Sequence, residues 1–271
     1  MASRTKQKEE ARARRVAEER ARAERAARQR RLRIVGGVAL IAIVIVAVAI
    51  AVSSSGGGSG SASAASLTSA AAKQSAAQVT SALSGIAQSG NNSLGSGSAK
   101  VTVTEFGDLE CPICRDFAAG AGSQLIANDV RSGKVKLIYR SLPTATGSAP
   151  DGATIFPVQQ AAALAAGEQA RGWNYILTFY KLQGQEGTDY VNTAFLNGIA
   201  RLVPGLDFAR WSTDRTSSSL TQQVGADVAA ANAKGFNSTP TIVVQGPKGQ
   251  AQPIVGAVDY GTLESAINSV S

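Results

Sequence analysis

Histidine is absent from this 271-residue chain, and cysteine occurs only twice. Without histidine there can be no Ser-His-Asp triad, no Cys-His protease and no His-ligated metal centre. Two cysteines build neither a four-cysteine zinc site nor a four-cysteine iron–sulfur cluster within one chain. No metal and no cofactor is therefore expected. An excess of positive charge is also missing from most of the chain. Residues 1–33 hold 13 basic and 5 acidic side chains, and the remainder holds 14 of each, so the net +8 belongs to the N-terminal tail. A nucleic-acid-binding domain carries its basic patch on the folded surface, and the near-neutral remainder excludes nucleic acid as a partner.

What is present divides the chain into segments. Residues 1–33 form a charged cytoplasmic tail. From residue 5 onward it contains neither Gly nor Pro and reads as a helix with opposite-charge pairs at Glu10–Arg14 and Glu18–Arg22. Ile34–Val52 is free of charge and nearly all Ile, Val, Ala and Leu. As a helix it would span about 28 Å, close to the hydrocarbon thickness of a bilayer, so a transmembrane helix is expected over 34–52. The basic residues before it, and their absence from residues 53–72, place the N-terminus in the cytoplasm and the rest outside. The apolar run exceeds the roughly 7–15 residues of a signal peptide, which favours a retained signal-anchor, although Ala47-Val48-Ala49 leaves cleavage open. Residues 53–99 read as a Ser/Gly/Ala-rich linker. It contains one short amphipathic helix, with Ala76, Val79, Leu83 and Ile86 at helical spacing, and 91–98 read as loop.

The folded domain is expected over 100–271, and about 170 residues suffice for one domain with a sizeable core. Val101–Phe106 and Lys134–Ser141 read as strands, with a helix from Cys111 to about Asn128 between them. Residues 155–233 show only helical patterns, read as Phe156–Leu182, Asp189–Leu202, Asp207–Thr213 and Leu220–Lys234. Thr241–Gln245 and Pro253–Val258 read as strands joined by a turn at Gly246–Gly249, and Tyr260–Val270 as a closing helix. Trp173, Tyr175, Phe179 and Tyr180 are assigned to the core, Asp207 to a helix cap and Asp214 to a solvated face.

Both cysteines fall in Cys111-Pro112-Ile113-Cys114, directly after a strand. That spacing puts Cys111 at a helix start and Cys114 one turn on, close enough for a redox disulfide Cys111–Cys114. Pro112 suits a first helical turn, where its missing N–H leaves nothing unpaired. The partial positive charge of the helix N-terminus stabilises a Cys111 thiolate. Cys111 is expected to be exposed and nucleophilic, and Cys114 to be buried and to resolve mixed disulfides. A purely structural disulfide closing so short a loop would remove little chain entropy. Alternation along the first strand puts Glu105 on the face of Val101 and Val103, a buried carboxyl that can exchange a proton with Cys114. Pro240 opens the Thr241 strand, and a cis bond at Thr239–Pro240 would expose the Thr239 backbone to an extended substrate.

The stretch from Thr104 to Phe117, the helical block, and Ser238-Thr239-Pro240 before the Ile242–Val244 strand together resemble DsbA-like thiol–disulfide oxidoreductases, closest to the membrane-anchored Gram-positive type, over about residues 98–271. The resemblance implies an α/β thioredoxin fold with a helical insertion. It implies Cys111 as nucleophile, Cys114 as resolving cysteine, Glu105 as buried acid and Pro240 as the cis proline. It also implies reduced or unfolded exported proteins as substrates and a quinone-linked membrane reoxidant, such as a vitamin K epoxide reductase homologue. Ile113 departs from the pattern of the best-known oxidase of the family, which has histidine inside the motif; a higher Cys111 pKa and a milder oxidant are expected. Oxidase, reductase or isomerase, and a tethered binding or chaperone module all remain open at this point, because direction is set by potential and partners.

Overall fold

The computed structural model describes residues 66–271. The charged tail, the transmembrane helix expected over 34–52 and the Ser/Gly/Ala segment over 53–65 lie outside the described residues. Among the described residues, no helix is long and apolar enough to cross a membrane.

Seven strands form one mixed sheet: β1 (Gln88–Ser89), β2 (Ser93–Leu94), β3 (Val101–Gly107), β4 (Val135–Ser141), β5 (Thr241–Gly246), β6 (Gly249–Gln250) and β7 (Ile254–Val255). The spatial order is β1-β2-β4-β3-β5-β6, with β7 also paired to β5. β3 and β4 run parallel, joined by a helical crossover, and β5 lies antiparallel on the other side of β3. A central strand must be covered on both faces. On one side of β3, Val101 and Val103 join the main core; on the other, Phe106 packs with Leu142, Ala231 and Val243 in a smaller cluster. Glu105 lies across from Tyr139 on β4 and Ile242 on β5.

The core begins before Lys100. Helix Ala70–Leu83 starts at the cap Ser69, whose hydroxyl accepts the Ala72 N–H at 3.1 Å. It buries Ala72, Ala76, Val79 and Leu83, a helical stripe like the one in the sequence. The 91–98 segment expected as loop contains β2 and completes a hairpin with β1. Side chains from the helical block hold this hairpin in place. Gln88 accepts the Trp173 N–H at 3.1 Å and donates to Asn174 at 2.7 Å, and the Trp173 indole donates to the Asn92 carbonyl at 2.7 Å.

The helix expected from Cys111 to Asn128 breaks at Gly120 into Pro112–Ala119 and Ala121–Leu125, followed by a π-turn over Ile126–Val130. The segment read as one helix over 156–182 is two, Gly152–Gly167 and Gly172–Lys181. The next helix starts later than expected, at Thr193, because Asn192 caps it by accepting the Phe195 N–H. Phe208–Asp214 is capped by Asp207, and Asp214 pairs with Arg210 on an exposed face. Ser218–Ala233 is tied to β4 by Asp227, which accepts from Arg140 at 2.8 Å and from the Ser141 N–H at 3.1 Å. The strand expected over Pro253–Val258 pairs only at Ile254–Val255, and the chain closes with helix Tyr260–Val270. Trp173, Tyr175, Phe179 and Tyr180 are all buried; rings meet edge to face between Tyr139 and Trp173 and between Phe179 and Phe195.

Candidate active site

The central strand β3 ends at Gly107, and beyond its C-terminal end the chain turns at Cys111 into helix Pro112–Ala119. Cys111 is the N-cap of that helix, with Pro112 at its first position, as the motif predicts. The Cys111 sulfur accepts the Cys114 N–H at 3.4 Å. Both thiols are free, so the structure describes the reduced pair. Just before the neighbouring strand β5, the Thr239–Pro240 bond is cis, and the Cys111 thiol donates to the Thr239 carbonyl oxygen at 3.5 Å. The motif and the Thr239-Pro240 step, 128 residues apart in the chain, thus meet at one point.

The expected exposure of Cys111 is corrected by the structure, which leaves it 5% exposed. Thr239 faces its sulfur, and Gln183 lies against its backbone, donating from Nε2 to the carbonyls of Leu109 at 2.8 Å and Cys111 at 3.1 Å. The exposed residue of the motif is Ile113, at 43%. Cys114 is fully buried, as expected of a resolving thiol.

The two thiols differ strongly in acidity. Cys111 is held down to about 6, chiefly by the hydrogen bond with the Cys114 thiol; burial opposes this, and the Thr239 side chain and the backbone N–H groups of Cys114 and Ile113 lower it further. Cys114 is pushed well above the ordinary thiol range by burial and by its neighbour's sulfur. Beneath them lies Glu105, 1% exposed, its carboxyl raised to about 8 by burial and by the negative charge of Cys111. It therefore carries a proton at neutral pH, where a buried acid can supply one to a departing thiolate. Gly107 makes room for this arrangement. A Cβ there would lie 2.6 Å from the Tyr139 ring and 3.2 Å from Glu105 Oε1.

Several residues of the site were not singled out by sequence reasoning. Asp108, fully buried, accepts the N–H groups of Glu110 at 3.0 Å and of Thr144 and Thr146 at 2.9 Å each, together with the Thr146 hydroxyl. Thr144 is also hydrogen-bonded, hydroxyl to hydroxyl, to Thr239. Glu110, also buried, is raised to about 7 by burial and by the Asp108 carboxylate. Tyr180, assigned to the core from the sequence and buried there, also donates its hydroxyl to the Asp108 carbonyl at 3.4 Å. Two acids in the three residues before a Cys-Pro step were the available signal. Among the described residues, no group of three or more His, Cys, Asp or Glu side chains is placed to hold a metal ion.

A family model described as Thioredoxin matches residues 87–268, more than half of the chain. The chain belongs to the thioredoxin family. A Bacillus anthracis protein described as "Probable disulfide bond formation protein D" is 26% identical over 183 residues, covering 67% of this chain and 79% of that protein. Among solved structures, oxidised BdbD from Bacillus subtilis is similar with a TM-score of 0.56 and 20% identity, over 68% of this chain and 97% of that one. A thioredoxin-like oxidoreductase from Silicibacter pomeroyi is similar with a TM-score of 0.52 and 28% identity, over 65% and 90% of the two chains. Within the thioredoxin family, this member is a DsbA-like thiol–disulfide oxidoreductase. Its cysteine pair, buried acid and cis proline occupy one site.

Proposed function

We propose that the protein is an exported disulfide oxidase, tethered to the cytoplasmic membrane by residues 34–52, which introduces disulfides into secreted or cell-envelope proteins through Cys111 and Cys114. The observation that carries this reading is the geometry of the cysteine pair: Cys111 caps the helix, its sulfur accepts the Cys114 N–H at 3.4 Å and lies 3.5 Å from the Thr239 carbonyl oxygen, an arrangement that lowers Cys111 and leaves Cys114 raised. A stabilised thiolate stabilises the reduced pair and so makes the corresponding disulfide oxidising. The downward shift of Cys111 arises with the uncharged Ile113 in the motif, from hydrogen bonds to Cys114, Thr239 and the helix N-terminus. The relative described as a disulfide bond formation protein supports the same direction.

The reaction begins from the Cys111–Cys114 disulfide. A substrate thiolate attacks the Cys111 sulfur, a mixed disulfide forms, and Cys114 leaves as a thiolate that takes the proton of Glu105. A second substrate thiolate then attacks the substrate's own sulfur in the mixed disulfide, forming the product disulfide and releasing Cys111 as a thiolate. The substrate is oxidised and the enzyme pair reduced by two electrons. A membrane acceptor then removes those electrons, for which a quinone-linked vitamin K epoxide reductase homologue is the class proposed. The Thr239 edge, next to Cys111, is where an extended substrate strand would pair.

Glutathione titration of the full chain tests the direction. A potential of about −120 to −150 mV supports the oxidase, and about −270 mV replaces it with a thioredoxin-like reductase. A disulfide resisting reduction well below that leaves a tethered binding module instead.

A further inference from the structure

Thr144 lies in the loop that follows β4, half-buried, and no feature of the cysteine motif points to it. Its backbone N–H donates to Asp108 Oδ2 at 2.9 Å, and its hydroxyl is hydrogen-bonded to the Thr239 hydroxyl. Asp108 is fixed in turn by Glu110 and Thr146. Thr239 faces the nucleophile: its carbonyl oxygen accepts the Cys111 thiol at 3.5 Å, and its side chain helps to lower the Cys111 pKa. Thr144 is thus held at one end by the segment leading into Cys111 and at the other by the residue lying opposite it.

A threonine hydroxyl has one proton to donate and two lone pairs to accept with. Between Thr144 and Thr239 the bond can run either way. When Thr144 donates, the Thr239 proton is free to face the Cys111 sulfur, and the two hydroxyls polarise one another toward the thiolate. When Thr239 donates, the sulfur loses that donor. Besides the Cys111 sulfur, Thr144 is the side chain hydrogen-bonded to the Thr239 hydroxyl among the described residues. We propose that Thr144 is a positioning residue for the nucleophile, acting through Thr239: its hydroxyl donates to Thr239 Oγ1 and so turns the Thr239 proton toward Cys111. This deepens the oxidoreductase reading and rests on it only for the identity of the nucleophile.

The test uses the full chain in its reduced state and follows the rate of Cys111 alkylation against pH, a readout that needs neither a substrate nor a direction of electron flow. Thr144→Val keeps the shape and removes the hydroxyl. The alkylation midpoint is expected to rise from about 6, and the rate near that pH to fall roughly two- to tenfold, the range of one net hydrogen bond. Well above the midpoint the rates should coincide. Thr144→Ser restores the wild-type profile, and in a Thr239→Val background Thr144→Val has no further effect. Superimposable wild-type and T144V profiles, or an equal shift with Thr239 already replaced, overturn the proposal. Should T144V not fold, T144A and T144S carry the comparison, and identical midpoints for those two refute it. A wild-type protein that alkylates at about 6 but oxidises no thiol would count against the proposed function alone.

Discussion

Glu105→Gln replaces a buried carboxyl with an amide of the same shape, and its effect on stability follows from where the carboxyl titrates. In the unfolded chain Glu105 ionises near the ordinary 4.5; in the fold it holds its proton to about 8. Between those values the native state binds more protons than the unfolded state, so this residue makes stability fall as pH rises. Each pH unit inside the window costs about 1.4 kcal/mol, and the window from 4.5 to about 8 amounts to about 5 kcal/mol. Glutamine does not titrate, so the variant should match wild type near pH 5 and exceed it by that order above pH 8. Cys111 acts in the opposite sense: its depressed folded value adds stability as pH rises from about 6 toward 9. That contribution is common to both proteins and largely cancels in their difference. Urea unfolding of the reduced full chain, followed by fluorescence of Trp173 and Trp211, reads the fold directly, because both tryptophans are buried within it. The expected separation of urea midpoints at high pH is about 2–5 M. A separation independent of pH would refute the assignment of Glu105 as a neutral buried acid, and with it the proton source for Cys114.

Two further variants probe the same centre. Cys114→Ser removes the resolving thiol, so mixed disulfides between Cys111 and substrate proteins should accumulate on non-reducing gels, and adding Cys111→Ser should abolish them. Gly107→Ala places a methyl group 2.6 Å from the Tyr139 ring, inside the core, and should destabilise the domain by about 1–3 kcal/mol in a denaturant titration. A neutral result there would mean that β3 and β4 can separate without cost beneath the cysteines.

Much of the site was legible because its parts are local. Period-two alternation put Glu105 on the buried face of β3, and the three-residue spacing of the cysteines put one at the cap and the other a turn inside. The proline before the Thr241 strand stood out because proline is confined to such boundaries. What could not be read depends on contacts between distant segments. The β1–β2 hairpin is two residues long on each side, too short for any periodicity, and its position is set by Trp173 and Gln88. The burial of Cys111 comes from Thr239 and Gln183, neither within seventy residues of it in the chain. Asp108 and Thr144 form a network only because the parallel pairing of β3 and β4 brings their loops to the same end of the sheet. The break of the active-site helix at Gly120 was not read from the sequence, because a single glycine is tolerated inside many helices.

Ile113, the exposed residue between the two cysteines, has one more consequence. The two charged side chains that follow the motif along the helix, Arg115 and Asp116, pair with each other at 3.1 Å. In the disulfide form, where Cys111 carries no charge, this exposed tip therefore offers no unpaired charge from Arg115 or Asp116 to steer or repel an approaching polypeptide. Encounters there should be governed by diffusion and apolar contact, with rates nearly insensitive to ionic strength. Acidic and basic clients would meet the nucleophile on equal terms, as suits a catalyst whose customers have in common only an unpaired thiol.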